Sequence, residues 1–413
     1  MADYQRLQDM NLQGKSVLLR VDYNVKVKKG KIDDDTRITA SLPTIEYLRK
    51  HGARVVIMAH LGRPQEELAE GIPPEQVRVN NSILPVAKHL GDLLNRKILT
   101  ADDWGGPSVK ALIEHMDLGD ILMLPNLRIN AGEESNDPAF VSVLANLCDI
   151  YVFDGFGVAH RAHASTTGVP LYLFSQGRGK DVAAGMLMDS ELQLWAEARN
   201  KKGYKLLVVG GKKLEEKTTA VSKLHKSVDR VLAAGGVYNV IQAGRGVPIG
   251  SSLVSEKDTD YTLIGKELGN TVPNLLLAEQ VVVANANNPS DYRAVYAADG
   301  VPDGYMIADL VVDAKLKAEI NKARVIIWFG NLGISDMELK GQYPFARGTE
   351  EFKRAIHPEA YVIVGGGDSV TASEGISRII STGGGAAIKL YTKGTLDALE
   401  ALKGNATYFQ VKQ

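Results

Sequence analysis

Residues 206–217 read LLVVGGKKLEEK: a short apolar run, two glycines, two lysines and a charged segment able to form a helix. A run this short and apolar on both faces is what a parallel strand buried between helices looks like. Glycine directly after a strand lets backbone N–H groups approach an anion, and a following helix start adds a favourable dipole. Working outward, the pattern recurs. Residues 230–233 run into AGG (234–236), 325–328 into FGN (329–331), 361–364 into GGGDS (365–369) and 379–380 into STGGGA (381–386). Further strand-like runs lie at 17–25, 54–59, 121–124, 150–153 and 275–284, with helical spacing at 39–51, 83–94, 138–147 and 349–355. Repeated strand–helix alternation predicts an α/β fold with parallel sheets. A chain of 413 residues favours two sheets in two domains over one sheet.

A polar, glycine-rich break, SQGRGKD (175–181), closes a first domain over 1–175. A helix predicted over 182–200 follows, with Gly185, Met188, Leu192 and Trp195 on one stripe. The spacing fits a core helix of the second domain, 201–395, and an interdomain strut equally well.

Composition narrows the function classes. The 48 Lys and Arg balance 49 Asp and Glu for a formal charge of −1, which gives no support for a nucleic-acid or membrane-surface binder. One cysteine excludes an internal disulfide framework and a Cys-rich metal centre. Cys148 opens an apolar run and reads as a small buried hydrophobe. With no apolar leader and no stretch of ~18 apolar residues, the expectation is a soluble, cytoplasmic protein.

In open α/β sheets ligands bind beyond the carboxyl ends of the strands, and here those ends differ between the halves. The first half ends its strands in Asp22 and Asn24 (RVDYN), His60 and Arg63 (AHLGRP), Arg128 (LPNLR), and Asp154 followed by GFGVAHRAHAST with His160, Arg161 and His163. Arg37, in DDDTR, can join them. Guanidinium groups bind carboxylate and phosphate in bidentate fashion, so converging arginines describe a small, multiply anionic substrate. Any one of them alone reads as a surface residue, and the histidines as structural partners; together they read as a site. The second half ends its strands in glycine; one such turn also serves tight packing, but two GGG turns and a GGK turn in one domain point to a polyphosphate. Asp368 beside the first GGG suits Mg²⁺, which takes one or two carboxylates plus phosphate oxygens. Lys213 and Lys217, four apart, point the same way if a helix begins there. The phosphate loop, the dinucleotide fingerprint, the protein-kinase motifs and the nucleophile elbow are all missing. An arginine pocket and a glycine-rich nucleotide pocket together supply what phosphoryl transfer needs, positioning and charge neutralisation.

These segments resemble the phosphoglycerate kinase family, in the family's order and over nearly the whole chain. They are RVDYN, DDDTRI, AHLGRP, NLRINAGEESNDP, DGFGVAHRAHAST, GGKKLEEK, VPDG, GGGDS and STGGGA. The resemblance implies two Rossmann-like domains joined by a long helix and separated by a cleft, with the tail 396–413 returning to the first domain. It implies a monomer that closes its hinge to transfer a phosphoryl group reversibly between 1,3-bisphosphoglycerate with ADP and 3-phosphoglycerate with ATP, using Mg²⁺. By position, Asp22, Asn24, Arg37, His60, Arg63, Arg128 and Arg161 would bind phosphoglycerate. Arg37, Lys213 and Gly384 would act on the transferring group. Lys213, Lys217, Gly236, Asp336, Gly366, Gly367, Asp368, Ser369, Gly383 and Gly385 would bind the nucleotide, with Asp368 holding the metal.

The departures gather in the nucleotide half. PNLRINAGEE changes Pro125, Ile129 and Ala131 but keeps Arg128. The family's WNGPMGVFE reads WFGNLGISD, so Phe329 replaces an asparagine and Asp336 a glutamate. GGGMAYTF reads AGGVYNVI, setting Tyr238 and Asn239 by the adenine slot, and PVDVVVADK reads AEQVVVANA. The expectation is an active kinase with an atypical nucleotide pocket. A weak homologue that only senses phosphoglycerate, or a kinase for another small acid, are the competing readings. Lys213, Lys217, Asp368 and both GGG turns argue against the sensor.

Overall fold

The computed structural model describes residues 3–28, 30–256, 259–334 and 347–410. The chain divides into two compact units, one made of Met1–Trp195 with Lys393–Gln413 and the other of Ala196–Thr392.

In the first unit six strands form one parallel sheet: β1 (Ser16–Arg20), β2 (Arg54–Met58), β3 (Leu99–Thr100), β4 (Ile121–Met123), β5 (Ile150–Phe153) and β6 (Val182–Ala184). Their order is β3-β4-β2-β1-β5-β6. Leu19, Val55, Ile57 and Val152 are fully buried, as double-sided coverage of a parallel sheet demands. The helices used below are α1 (Thr36–Lys50), α2 (Pro64–Ala69), α3 (Leu84–Leu94), α4 (Pro138–Ala145) and α5 (Met186–Asn200). Asp137 starts α4 by accepting the N–H groups of Ala139 and Phe140, with Pro138 in the first turn.

The second unit repeats the plan with β7 (Lys205–Val209), β8 (Arg230–Ala233), β9 (Leu275–Leu276), β10 (Gln280–Asn285), β11 (Tyr292–Tyr296), β12 (Tyr305–Leu310), β13 (Val325–Phe329), β14 (Tyr361–Gly365) and β15 (Ile379–Ser381). Six of these make a parallel sheet in the order β9-β8-β7-β13-β14-β15, while β11-β10-β12 form a separate antiparallel sheet. Its helices include α6 (Leu214–Leu224), α7 (Gly235–Gly244), α8 (Arg347–Ala355), α9 (Gly367–Ala372) and α10 (Gly385–Lys393). The last labelled helix, α11 (Asp397–Leu402), belongs to the first unit, where Ala398 N–H donates to Ala159 O at 2.9 Å.

Three expectations need correction. The run 17–25 stops being a strand at Arg20. Beyond it Asp22 accepts the Asn24 N–H in a local turn, a competition that short polar side chains win at strand ends. The run 275–284 is two strands in two sheets, because an apolar run does not reveal which neighbours pair with it. The helix predicted over 182–200 begins at Met186. Val182–Ala184 instead pairs with β5, and Gly185 makes the break, where any Cβ would fall 2.2 Å from Asp154 Oδ1. The compact units divide the chain inside α5, after Trp195, and the chain rejoins the first unit at Lys393.

Candidate functional site

At the carboxyl ends of β1, β2, β4 and β5 the first unit gathers its charged side chains. Arg20, the last residue of β1, is buried; its Nε donates to Ser165 Oγ at 2.7 Å, and its other nitrogens reach Val21 O and His60 Nδ1. Ser165 Oγ passes the contact on to Glu133 Oε1 at 2.6 Å, while Ser165 N–H donates to Oε2 at 2.9 Å. Glu133, fully buried and 4.0 Å from the Arg20 guanidinium, supplies the countercharge. Arg37, on α1, donates to Asp22 Oδ2 at 2.9 Å and reaches Asn24 O. Asn24 Oδ1 accepts Gly62 N–H at 2.9 Å, tying the β1 end to the loop after β2.

Arg128, after β4, donates to Gly62 O at 2.8 Å and lies 3.1 Å from Glu134. Burial, then the charge of Arg161, pushes its guanidinium down to about 10. Asn126 sets this corner: Oδ1 accepts the N–H groups of Leu61 and Arg128, and Nδ2 donates to Leu61 O and Asn81 O.

His60 is buried, and its pKa is held far below the ordinary imidazole range by burial first and then by Arg20, Arg128, Arg161 and Arg37. The ring is therefore neutral. Arg20 can only donate, so His60 Nδ1 accepts and Nε2 carries the proton. That Nε2–H is buried with no hydrogen-bond partner among the described residues. Burial and Arg161 likewise hold His163 down to about 3. Arg161 is half-buried and, among the described residues, its guanidinium makes no hydrogen bond or ion pair. Arg37, Arg128 and Arg20 each have an acidic partner, so Arg161 leaves the cluster one cation in excess.

Arg63 is not drawn into this cluster. It precedes α2 with its side chain 65% exposed and donates to Glu66 at 2.9 Å. The reading of the sequence missed Arg20, Asn126, Glu133 and Ser165. Only Arg20 left a signal, as a cation inside an apolar strand.

In the second unit the turns after the strands interlock. Gly210 N–H donates to Phe329 O, Gly211 N–H to Asn331 O, Gly235 N–H to Leu332 O and Gly236 N–H to Gly211 O, at 2.8–3.0 Å. A Cβ on Gly210 would lie 2.1 Å from Asn331 O, and one on Gly330 2.0 Å from Gly210 O. These glycines let backbone meet backbone, so Gly236 spends on its neighbour the N–H expected to meet a phosphate. The start of α6 is spoken for as well, since Leu214 N–H donates to the Glu256 carboxylate at 2.9 Å.

The remaining nucleotide-side residues frame a more open edge. Lys213 is exposed just before α6, and Lys217 Nζ stands 5.5 Å from the centre of the Phe329 ring. Gly366, with φ +95°, is exposed, and Gly367 and Asp368 open α9. Ser369 Oγ accepts Gly330 N–H. Gly383 N–H donates to Ser381 Oγ at 3.2 Å. Gly384 and Gly385 are exposed at the start of α10, and a Cβ on Gly384 would meet nothing within 4 Å. Tyr238 is no part of a base pocket. It is sealed in the core with its hydroxyl on Ala278 O at 2.9 Å, because Ala278 lies beneath α7 and a buried phenol needs an acceptor. Asn239 is buried too, its amide on Leu253 O. Asp336 lies outside the described residues.

Comparison with known proteins bears on both units. A family model described as phosphoglycerate kinase matches residues 7–393. The phosphoglycerate kinase of Moorella thermoacetica is 38% identical over 409 residues, covering 96% of this chain and 98% of that protein. The phosphoglycerate kinase of Synechococcus elongatus is 38% identical over 407 residues, with 95% and 96% covered. Among solved structures, the chain is similar to phosphoglycerate kinase from Pyrococcus horikoshii, with TM-score 0.77, 28% identity and 98% and 99% of the two chains covered. For the Coxiella burnetii structure the values are 0.72, 30%, 98% and 100%.

Proposed function

The chain belongs to the phosphoglycerate kinase family, and from that membership we propose how its own residues carry the reaction. The activity is reversible phosphoryl transfer: a carboxylate oxygen of 3-phosphoglycerate bonds to the terminal phosphorus of ATP as the bond to ADP breaks. No protein group forms a covalent bond, so catalysis rests on placement and on neutralising charge.

Asp22, Asn24, Arg37, His60, Arg63, Arg128 and Arg161 bind phosphoglycerate. The observation that carries this reading is that, among the described residues, the Arg161 guanidinium and His60 Nε2–H make no hydrogen bond in a cluster where Arg20, Arg37 and Arg128 have acidic partners. A ligand anion completes both. Because the His60 ring stays neutral, it donates at any physiological pH and does not exchange a proton with the substrate. Arg63 must leave Glu66 to take part, a small cost for an exposed pair.

On the nucleotide side, Lys213 with Arg37 stabilises the transferring group, Lys217 holds nucleotide phosphate, and the exposed N–H groups of Gly384 and Gly385 face the same oxygens. Asp368, in the first turn of α9, is the carboxylate we assign to Mg²⁺, an ion that takes one or two carboxylates while phosphate oxygens and water complete its shell. When bound, the ion neutralises charge between the phosphates. Membership of the family favours a cytoplasmic monomer, and no described helix is long and apolar enough to cross a membrane.

The test is Arg37→Ala. A donor aimed at charge that develops in the transition state is worth about 3 kcal/mol, so turnover should fall ~10²-fold. A loss confined to the Michaelis constant for phosphoglycerate would make Arg37 a binding group only.

A further inference from the structure

Three buried residues stand behind His60: Arg20, Ser165 and Glu133, which are 1%, 0% and 0% exposed. They end or follow three different strands, β1, β5 and β4. Every bond between them has a fixed direction. The Glu133 carboxylate can only accept, and it takes the Ser165 hydroxyl on Oε1 at 2.6 Å and the Ser165 N–H on Oε2 at 2.9 Å. With its proton given to Glu133, Ser165 Oγ accepts Arg20 Nε–H at 2.7 Å. Arg20 can only donate: Nη1 meets Val21 O, and Nη2 meets His60 Nδ1 at 3.2 Å. Each guanidinium nitrogen has an acceptor, so the planar group cannot turn without breaking at least two of these bonds.

What this relay fixes is the proton on His60. A neutral imidazole carries one N–H, and the partner on one ring nitrogen decides where it sits. With the Arg20 donor on Nδ1 the proton is on Nε2, the buried nitrogen that has no hydrogen-bond partner among the described residues. The opposite tautomer would set two N–H groups against each other at Nδ1 and leave Nε2 a lone pair, which repels an anion. We propose that Glu133, Ser165 and Arg20 are positioning residues for phosphoryl transfer: they hold His60 as the Nε2–H tautomer, which donates to phosphoglycerate. This rests on His60 binding phosphoglycerate, as proposed above.

The experiment reads the ring-nitrogen NMR shifts of His60, which separate the two tautomers, together with steady-state kinetics of the full chain. The variants are Arg20→Lys, which keeps the charge and loses the fork, and Ser165→Ala. Thermal unfolding confirms that each folds, and Glu133→Gln replaces either one that does not. The parent ring should show the Nε2–H tautomer alone. The variants should show a mixture, and the Michaelis constant for 3-phosphoglycerate should rise about tenfold while that for Mg–ATP does not change. In a His60→Gln background, whose amide donates without a tautomer to set, the same substitutions should change the 3-phosphoglycerate constant by less than about twofold. A parent tautomer retained in the variants, an unchanged 3-phosphoglycerate constant, or additivity with His60→Gln would overturn the proposal. If His60→Ala raises that constant and Arg20→Lys and Ser165→Ala do not, only the positioning role fails. If His60→Ala leaves it unchanged, the binding role of His60 fails and the positioning role with it.

Discussion

Asp309, buried at the end of β12, accepts the N–H groups of Leu310 and of Gly348 in the first turn of α8. Burial pushes its carboxyl up to about 7 despite those two bonds. Between the ordinary aspartate value and pH 7 the folded chain keeps a proton that the unfolded chain has lost. Its contribution to stability is thus complete at low pH, declines as pH rises through that window, and is flat above it, with a slope of at most about 1.4 kcal/mol per pH unit. Asp309→Asn should flatten that part of the profile and gain stability relative to the parent at pH 8, read from urea unfolding of the full chain. Identical slopes in the two proteins would mean that Asp309 is ionised throughout. Nothing in the sequence marks this residue, since an aspartate in MIADLVVD reads as a strand-end surface charge. Arg20 was hidden for a related reason: its acid, Glu133, and the bridging Ser165 lie far along the chain, and only the fold brings them together. Asp22, His60, Arg128 and Arg161 stand out because they come after apolar runs, and position after a strand is visible without a structure; Arg37, in the polar stretch DDDTR, carries no such signal.

Strand ends explain what was legible among the elements. The glycine pattern located the turns of the second unit, but its chemistry divides. Gly210, Gly211, Gly235, Gly236 and Gly330 serve turn-to-turn packing, whereas Gly384 and Gly385 stand open. Both uses need a missing side chain, so sequence alone does not separate them. Substitution does. Gly330→Ala would place a Cβ 2.0 Å from Gly210 O at φ +85°, a backbone state costing ~1–3 kcal/mol for alanine before the clash is counted. It should lower the urea midpoint and weaken nucleotide binding together. Gly384→Ala should leave the midpoint unchanged, because its Cβ meets open space. Equal midpoints for the two variants would contradict the division. Of the antiparallel sheet, β10 lies in the predicted run 275–284, whereas β11 and β12 escaped the sequence reading. The edge strand YRAVY is largely exposed and carries no continuous apolar run, the signal on which the other strands were found.

At the scale of the molecule, two parallel six-stranded sheets each present one kind of chemistry: arginines with a neutral histidine in one unit, glycine turns with lysines in the other. The departures from the family lie mostly in the second set, so substrate choice should be conventional and nucleotide handling should not. A coupled assay of the full chain with 3-phosphoglycerate, Mg²⁺ and a panel of nucleoside triphosphates measures both. The account predicts turnover that depends on 3-phosphoglycerate, exceeds that on any other small carboxylate, and requires Mg²⁺. No turnover with any nucleotide, or faster turnover on a different acid, would contradict it.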